Sequence, residues 1–293
     1  MIGIDWGTSS LRAYRFGPCG AIASRRDTAG GILTVPPGGF PDALREVAGD
    51  WIAGGETRVL MCGMVGSRQG WVEAPYLPCP AGLEGLAAAA IRVPFDGVDV
   101  RLLPGLSCRD RHGVPEVMRG EETQLLGAIA AGEAEATACL PGSHSKWARL
   151  AGGRVMGFTT HFTGEAFAAL SGHTILARMM DPAAPHHAGA FARGVARAKQ
   201  GGGLLHHLFG LRAASLFGEV AEAEAASFLS GLLIGHEVAA ALEDGVAPPI
   251  VLIGSEALTA RYAAALDAFG VPHRAAGPDA AARGLSLIAE HLP

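Results

Sequence analysis

The first third of the chain alternates short apolar segments with glycine-rich turns. An apolar run over 2–6 (IGIDW) contains one acid, and the segment from Leu11 to Phe16 (LRAYRF) alternates between apolar and polar positions. Such alternation is typical of strands, whose successive side chains point to opposite faces. Together with the stretch from Ala21 to Asp27, these segments predict an antiparallel meander of three strands.

Helical and buried-strand patterns follow this meander. The predicted elements are a helix over 42–53, a strand over 57–62 (TRVLMC), a glycine-rich loop over 63–70, a helix over 83–91 and a strand over 99–104. The predicted order of elements is therefore β-β-β-α-β-α-β.

The second half of the chain starts with the same order of segments. ACLPG resembles the first strand, SHSKWARL the second, and RVMGFTT, which follows a Gly-Gly turn, the third. At an offset of 135 residues (142 − 7), the aligned pairs are Gly7 with Gly142, Thr8 with Ser143 and Ser10 with Ser145. This correspondence indicates an internal duplication of the architecture.

Helices and strands continue to the end of the chain. The predicted elements are helices over 164–180, 188–199 and 220–242, a buried strand in PIVLIGS, a helix over 257–269, a short strand near His273 and a final helix over 279–291. We therefore expect an α/β protein with two lobes, 1–118 and 119–293, and a ligand in the cleft between them.

Composition narrows the class of function. The chain has 293 residues, is 49% hydrophobic and 17% charged, and its net charge of −5 is spread without long runs of one sign. This pattern predicts no surface for nucleic acid or anionic membranes. The five cysteines lack a C-x-x-C pair, and we find neither a basic leader nor an apolar window near the roughly 20 residues of a membrane span. We expect a cytoplasmic protein that acts on a small molecule.

Two turns combine glycine with hydroxyl side chains. They consist of Gly7, Thr8, Ser9 and Ser10, and of Gly142, Ser143, His144 and Ser145. Such turns present backbone N–H and hydroxyl groups that suit phosphate oxygens, and Asp5 before the first turn can orient Mg²⁺ through water. Each turn alone is equally well explained as an ordinary hairpin. Their duplication favours a site for the phosphates of a nucleotide.

Longer segments resemble a known family. GIDWGTSSLRAY is similar to the first phosphate motif of the hexokinase, actin and heat-shock-chaperone superfamily. Later segments resemble those of 2-dehydro-3-deoxygalactonokinases, in the same order: CGMVGSRQGWVEAPYLPCPA, MRGEETQLLGA, LPGSHSKW, FLSGLLIGHE and IGSEALTARY. The resemblance covers 2–292 and implies two ribonuclease H-like lobes with the nucleotide cleft between them.

The resemblance also implies an activity. It is the transfer of the ATP γ-phosphate to the terminal hydroxyl of 2-dehydro-3-deoxy-D-galactonate, with ATP and Mg²⁺ as cofactors. The product is the 6-phosphate that an aldolase of the same catabolic route would cleave.

The expected catalytic base lies in the segment RGEET. Hexokinases have Asn-Asp-Thr at this point, and superposing Asp-Thr on Glu122-Thr123 makes Glu122 the expected base, with Glu121 as the alternate. The alternative is that two acids in a first helical turn only stabilise the helix dipole.

A keto-acid substrate calls for an arginine in the cleft. The candidates are Arg68, which can equally be a solvated surface residue, and Arg119. Further candidates for contacts with the substrate are Gln69, Trp71 and Tyr76, and also Thr163 and Glu165, which are otherwise explained as residues of a helix N-cap.

The later glycines suggest further roles. Gly254 and Ser255 resemble the adenosine motif of the superfamily, whereas Gly231 and Gly235 are interpreted as helix-packing positions. The last helix resembles the superfamily segment that packs back on the first lobe. Many members of the superfamily carry an acid before the second motif, where this chain has Pro141, so we assign metal handling to Asp5 and claim no second metal site.

Other interpretations remain open at this point. The histidine pairs 186–187 and 206–207 are interpreted as exposed, and His161 with Glu165 has the spacing of a ligand pair but lacks a third partner. Two functional alternatives are another sugar kinase, acting on a hexose or an anhydro-amino sugar, and a nucleotide-gated actin-like protein. Apolar helix faces that could pair two copies into a homodimer have the same pattern as core-facing ones.

Overall fold

The computed structural model describes residues 1–95, 97–129, 135–277 and 279–293. The chain forms two compact units. Unit 1 comprises Met1–Glu135, Ala148–Phe158 and Ala276–Pro293, and unit 2 comprises Ala136–Trp147 and Thr159–Ala275. The predicted division at 118/119 assigned binding roles to two lobes, and that assignment stays a prediction.

Short strands make up much of both units. In chain order they are β1 (Ile2–Trp6), β2 (Leu11–Phe16), β3 (Ile22–Thr28), β4 (Arg58–Cys62), β5 (Leu77–Pro78), β6 (Ala81–Gly82), β7 (Ile91–Val93), β8 (Asp99–Leu102), β9 (Leu106–Arg109), β10 (Pro115–Met118), β11 (Glu135–Leu140), β12 (Ser145–Ala151), β13 (Arg154–His161), β14 (Ile250–Leu252) and β15 (His273–Ala275).

Helices connect and cover these strands. They are α1 (Phe40–Ala53), α2 (Leu83–Ala88), α3 (Glu121–Ile129), α4 (Thr163–His173), α5 (Ala188–Ala198), α6 (Gly203–Leu216), α7 (Glu222–Glu243), α8 (Glu256–Ala268) and α9 (Ala280–Glu290).

The strand order repeats between the two main sheets. The first sheet has the order β3-β2-β1-β4-β8-β7, in which β1 is antiparallel to β2 and parallel to β4. The other has the order β15-β14-β11-β12-β13-β6, in which β11 is parallel to β14 and β14 to β15. In each sheet the meander is followed by two parallel strands on its other side. The predicted fold class, two ribonuclease H-like repeats, is therefore confirmed.

Each unit has its own apolar core. In unit 1, side chains of β1 and β4, such as Ile4 and Met61, pack against Leu44 and Trp51 of α1. In unit 2, Ile250 of β14 packs in one cluster with buried residues of α5, α7 and α8. The alternating pattern of the meander and the continuous apolar pattern of β4 and β14 follow from these positions, because parallel strands are covered on both faces.

Helix α6 was not predicted. Its sequence (GLLHHLFGLRAASL) is apolar on all sides, and Leu205 and Phe209 are 83% and 67% exposed, so no one-sided apolar stripe marks the helix.

The expectation that the histidine pair 206–207 is exposed is wrong for His207. It is fully buried, and its Nδ1 lies 2.9 Å from Nε2 of His236.

The predicted helix over 164–180 ends at His173. The Thr174 hydroxyl donates to the Leu170 carbonyl and accepts from the Leu176 N–H, so it closes one helix and opens a 3₁₀ turn over Ile175–Met179. A threonine that bonds locally in this way competes with continued helix formation.

The sequence was expected to contain no apolar segment of the length of a membrane span, but helix α7 is such a segment. By length and composition it could cross a membrane, but 67% of its most apolar window is buried inside the protein. A Cβ atom at Gly231 would lie 2.0 Å from the Phe191 carbonyl oxygen of α5, so the two backbones are in direct contact. The helix is a core element of unit 2, and Gly231 is a packing position as predicted.

Helix α9 packs tightly across α3 in unit 1. A Cβ atom at Gly284 would lie 1.9 Å from the Thr123 carbonyl oxygen, and one at Gly127 would lie 2.0 Å from the Ala280 carbonyl oxygen. Both helices therefore approach backbone to backbone. This contact fixes the first turn of α3, which carries Glu121 and Glu122.

Replacing Gly284 with alanine is expected to lower the free energy of unfolding by about 2–3 kcal/mol, because the added methyl group overlaps backbone that cannot move alone. Gly210→Ala in α6 is the matched control, since a Cβ atom there has nothing within 4 Å. An alanine at an open helix position stabilises by up to ~1 kcal/mol. Urea unfolding at 25 °C measures both. Equal stability of the two variants would contradict the close contact.

Candidate active site

The turn after β1 holds the predicted phosphate-binding residues of unit 1. The Gly7 N–H donates to the Ser10 carbonyl at 2.9 Å, and the Gly7 carbonyl accepts from the Ile32 N–H at 3.0 Å. A Cβ atom at Gly31 would lie 2.3 Å from the Thr8 carbonyl oxygen, so the turn rests directly on that glycine. Thr8 and Ser9 at its tip are exposed. The turn is rigidly seated and presents its tip to solvent.

Asp5 is the penultimate residue of β1, two residues before Gly7. The residue is 8% exposed, and Oδ2 accepts from Nη1 of Arg12 at 3.2 Å. Burial raises the pKa of the Asp5 carboxyl, and the Arg12 guanidinium opposes that rise.

The two acids of α3 fold back on the start of their helix. Glu122 is 1% exposed, its Oε2 accepts from the Gly120 N–H at 2.6 Å, and its Oε1 accepts from the Thr123 hydroxyl at 3.0 Å. Glu121 accepts from the Arg119 N–H at 2.9 Å through Oε2. These contacts are what the helix-dipole alternative expects.

The pKa of Glu122 is higher than the helix-dipole alternative requires. Burial, with a smaller contribution from the Glu121 charge, raises the pKa of Glu122 to about 8, although its hydrogen bonds oppose the rise. An acid that only stabilises a helix start is normally exposed and ionised. A carboxyl group with a pKa near neutrality is suited to accept a proton in catalysis.

Two glycines bring these acids together. Gly63 (φ 95°) follows β4, and a Cβ atom there would lie 2.7 Å from the Trp6 carbonyl oxygen. Gly120 (φ 105°) lies against Gly63, with a distance of 3.1 Å from its would-be Cβ to the Gly63 Cα. Positive φ angles favour glycine at both positions. The ends of β1 and β4 and the start of α3 therefore meet at one point.

Cys62 lies within this cluster of acids. Cys62 pairs in register with Asp5, and burial raises the pKa of its thiol well above the ordinary value, as do the nearby charges of Asp5 and Glu122. The structure thus gathers Asp5, Glu122 and Glu121 around one buried thiol in unit 1.

The two candidate arginines have opposite environments. The Arg68 side chain is 87% exposed, and its Nε donates to Glu73 at 3.0 Å on the surface. Arg119 is 8% exposed, its Nη2 donates to the Ala74 carbonyl at 2.7 Å, and its guanidinium lies 4.4 Å from the centroid of the Tyr76 ring.

The other residues proposed from the glycine-rich loop are divided between core and surface. The Trp71 ring packs against Phe40 and Phe95, with centroid distances of 6.3 and 6.1 Å. It is partly buried and packs against the core of unit 1. Gln69 is exposed, and Tyr76 is 42% exposed.

The second turn lies in unit 2 at the start of α4. A Cβ atom at Gly164 would lie 2.4 Å from the Gly142 carbonyl oxygen, and the Glu165 N–H donates to the Ser143 carbonyl at 3.0 Å. His144 Nε2 is 2.5 Å from Glu165 Oε2. The predicted residues Ser143, His144, Thr163 and Glu165 therefore belong to one cluster.

The contacts of this cluster contradict two alternative interpretations, the N-cap role of Thr163 and the ligand pair of His161 with Glu165. The N-cap of α4 is Phe162, without a side-chain hydrogen bond, so Thr163 is not a cap. Glu165 pairs with His144 instead of forming a metal pair with His161. Among the described residues, no group of three or more His, Cys, Asp or Glu side chains could hold a metal ion.

The predicted adenosine motif lies beside the second turn. Gly254 follows β14 with φ 156°, and its would-be Cβ atom lies 3.7 Å from the Pro141 carbonyl oxygen. Ser255 is exposed and precedes α8 as its N-cap residue. Within unit 2, Gly142 and Gly254 are thus on neighbouring strand ends.

Comparison with known proteins identifies the family. The family model described as 2-keto-3-deoxy-galactonokinase matches residues 5–288. The chain belongs to this 2-keto-3-deoxy-galactonokinase family. A probable 2-dehydro-3-deoxygalactonokinase of Rhizobium meliloti is 43% identical and covers 99% of this chain and 96% of its own length. The 2-dehydro-3-deoxygalactonokinase of Escherichia coli is 38% identical, with 98% and 97% covered.

A solved structure agrees with this assignment. The crystal structure of a candidate 2-dehydro-3-deoxygalactonokinase from Sinorhizobium meliloti matches with a TM-score of 0.91 at 42% identity, covering 99% of this chain and 98% of that one. The resemblance to 2-dehydro-3-deoxygalactonokinases drawn from the sequence segments is thereby confirmed.

One feature of this kinase-family site was not predicted. The buried carboxylate of Glu237 accepts from Trp147 Nε1 at 2.8 Å and from the Tyr262 hydroxyl at 2.7 Å. The Ser145 hydroxyl lies 2.7 Å from the Tyr262 hydroxyl, and it donates there because that hydroxyl's own proton goes to Glu237. This chain of hydrogen bonds ties the second turn to α7 and α8. Its signal in the sequence is a single acid within the apolar run FLSGLLIGHEVAAA.

Proposed function

We propose that the protein transfers the γ-phosphate of ATP to the terminal hydroxyl of 2-dehydro-3-deoxy-D-galactonate, forming the 6-phosphate. The observation that carries this proposal is membership of the 2-keto-3-deoxy-galactonokinase family over 5–288, with relatives of that name aligned over nearly the whole chain. The duplicated turns and the buried acids supply the chemistry that such a transfer needs. We place this step in galactonate catabolism, in the cytoplasm.

We assign the general base to Glu122. In the transfer, the acceptor oxygen forms a bond to the γ-phosphorus, the bond from that phosphorus to ADP breaks, and the hydroxyl proton passes to the Glu122 carboxylate. The pKa of Glu122, raised to about 8 by burial and by the Glu121 charge, lets this group take up a proton near neutral pH. Glu121 is the alternate base, and its nearby charge raises the proton affinity of Glu122.

We assign the ATP phosphates to the two turns and the adenosine to the neighbouring strand end. Gly7, Thr8, Ser9 and Ser10 and their counterparts Gly142, Ser143 and His144 present N–H and side-chain groups that match phosphate oxygens. Gly254 and Ser255 supply a strand-to-helix turn in the same unit as the second phosphate turn. The hydrogen bonds of Ser145 keep that second turn in one conformation.

The residues of unit 1 fit a magnesium ion held mainly by water and phosphate. Mg²⁺ in kinase sites keeps several waters and uses one or two carboxylates, so a single buried carboxylate such as that of Asp5 is sufficient. When bound, the ion neutralises charge on the β- and γ-phosphates. Asp5 is the residue we expect to orient it.

The substrate test compares acceptors directly. ADP release is coupled to a dehydrogenase assay with 2-dehydro-3-deoxygalactonate, its gluconate epimer, glucose or no acceptor. We expect turnover with the keto acids that exceeds glucose by at least about 10²-fold, since a kinase that binds a carboxylate loses that interaction with a neutral sugar. Turnover of glucose at a similar rate would favour a hexose kinase. ATP hydrolysis without any acceptor dependence would favour the nucleotide-gated alternative.

A further inference from the structure

The guanidinium of Arg119 is buried without a full set of hydrogen bonds. Its Nη2 donates to the Ala74 carbonyl, but Nε and Nη1 have no hydrogen-bond partner among the described residues. Together Nε and Nη1 carry three N–H donors. Buried donors of a charged group are normally paired, so three that are unpaired indicate that an acceptor from outside the protein completes the set.

A second unpaired donor lies on the adjacent turn. The Ser67 hydroxyl is buried and has no hydrogen-bond partner among the described residues. Ser67 follows Gly66, whose would-be Cβ atom lies 2.9 Å from Arg119 Nη1. Gly66 therefore packs directly on the guanidinium, which places the turn at 66–67 beside it.

Tyr76 covers one face of the Arg119 guanidinium. Its ring lies over the guanidinium and is 42% exposed, and it rests on Gly105, whose would-be Cβ atom is 2.8 Å from the ring. The guanidinium is therefore covered by a side chain that itself contacts solvent.

We propose that Arg119 and Ser67 form the subsite for the carboxylate of the sugar acid. This inference rests on the proposed function and adds to it the groups that distinguish an acid from a neutral sugar. A carboxylate has two oxygens with acceptor capacity and one negative charge, which match one cation and several N–H and O–H donors. Arg68 is not part of this subsite, because its exposed side chain is already paired with Glu73.

The subsite predicts discrimination between the acid and its primary amide, which has nearly the same shape and no charge. Binding of 2-dehydro-3-deoxygalactonate and of its carboxamide is measured by calorimetry with Mg²⁺ and a non-hydrolysable ATP analogue. The parent protein is expected to prefer the acid by about 10²-fold. Arg119→Gln is expected to remove this preference by weakening the acid, while binding of the amide changes by less than about threefold. Ser67→Ala is expected to weaken the acid by about tenfold.

Matched variants separate this role from general damage. Arg92→Gln removes an arginine of unit 1 whose side chain is 76% exposed, and it is expected to bind both ligands as the parent does. Gly66→Ala, which pushes the guanidinium without removing it, is expected to weaken the acid. If Arg119→Gln does not fold, Ser67→Ala and Gly66→Ala carry the same comparison.

The outcomes distinguish this inference from the proposed function. A retained preference for the acid in Arg119→Gln, or its loss in Arg68→Gln instead, would overturn the subsite while leaving the kinase reaction intact. Binding of the acid without turnover in the parent would overturn the reaction alone, and the same variants would still decide the subsite. No binding of the acid to the parent protein would overturn both.

Discussion

Glu122→Gln is expected to lower kcat by about 10²-fold or more with 2-dehydro-3-deoxygalactonate as the acceptor. A glutamine of the same size cannot take the hydroxyl proton, and general-base catalysis contributes about 10²–10⁴-fold. The pKa of Glu122, raised to about 8 by burial and the Glu121 charge, also sets the pH dependence. The base works only when ionised, so the rate of the parent should rise with pH and level off above about pH 8, at roughly a hundredfold over its value at pH 6. Steady-state kcat from pH 6 to 9.5 measures both effects.

Glu121→Gln is the matched control for this experiment. It removes the neighbouring charge that contributes to the raised pKa of Glu122, so the rising limb of the pH profile should shift to lower pH while most of the activity remains. If Glu121→Gln is the inactive variant and Glu122→Gln keeps the parent's profile, the base has been assigned to the wrong acid.

The local pattern of apolar and polar residues was sufficient to predict the repeated part of the fold. The three-stranded meander and the apolar parallel strands have strong periodicity and glycine turns at their ends, so β1 to β4 and β11 to β14 lie where the pattern places them. Helix α6 and strands β9 and β10 lack this information. The first is apolar on all sides, and the strands are four residues each, so tertiary contacts decide their structure.

The candidate site was predictable where chemistry depends on consecutive residues. The two turns and the acid pair of α3 are each one short segment, so sequence reasoning could name them. The contacts of Arg119 with Ala74 and of Tyr262 with Glu237 connect residues 45 and 25 positions apart, and no local pattern encodes them. For the same reason the packing of the Trp71 ring against Phe40 could not be read from the sequence.

Asp5→Asn is expected to lower kcat by about 10²-fold and to raise the Mg²⁺ concentration needed for half-maximal activity. Asparagine keeps the shape of the side chain but loses the charge that attracts the hydrated ion, and electrostatic stabilisation of the transferred phosphoryl group is typically the largest contribution to catalysis. Initial rates over a range of Mg²⁺ at saturating ATP measure both quantities.

Stability separates this catalytic role from a structural one. Burial raises the pKa of the Asp5 carboxyl. The ionised carboxylate is therefore less stable in the folded protein than in water. A neutral asparagine avoids that cost, and the Arg12 side chain that loses its partner is 43% exposed, so the lost ion pair is worth at most about 1 kcal/mol. The free energy of unfolding at pH 8 should therefore not fall appreciably.

Asp27→Asn is the control for the Asp5 experiment, because Asp27 contacts the same arginine. Its Oδ1 lies 3.5 Å from Arg12 Nε, but its side chain is 50% exposed and lies on β3, away from the end of β1. This variant is expected to retain the parent's kcat and Mg²⁺ dependence. If Asp27→Asn loses activity as Asp5→Asn does, the common cause is the orientation of Arg12, and the metal role of Asp5 is wrong. If only Asp5→Asn loses it, with the fold intact, the carboxylate at the end of β1 acts on the metal and phosphate directly.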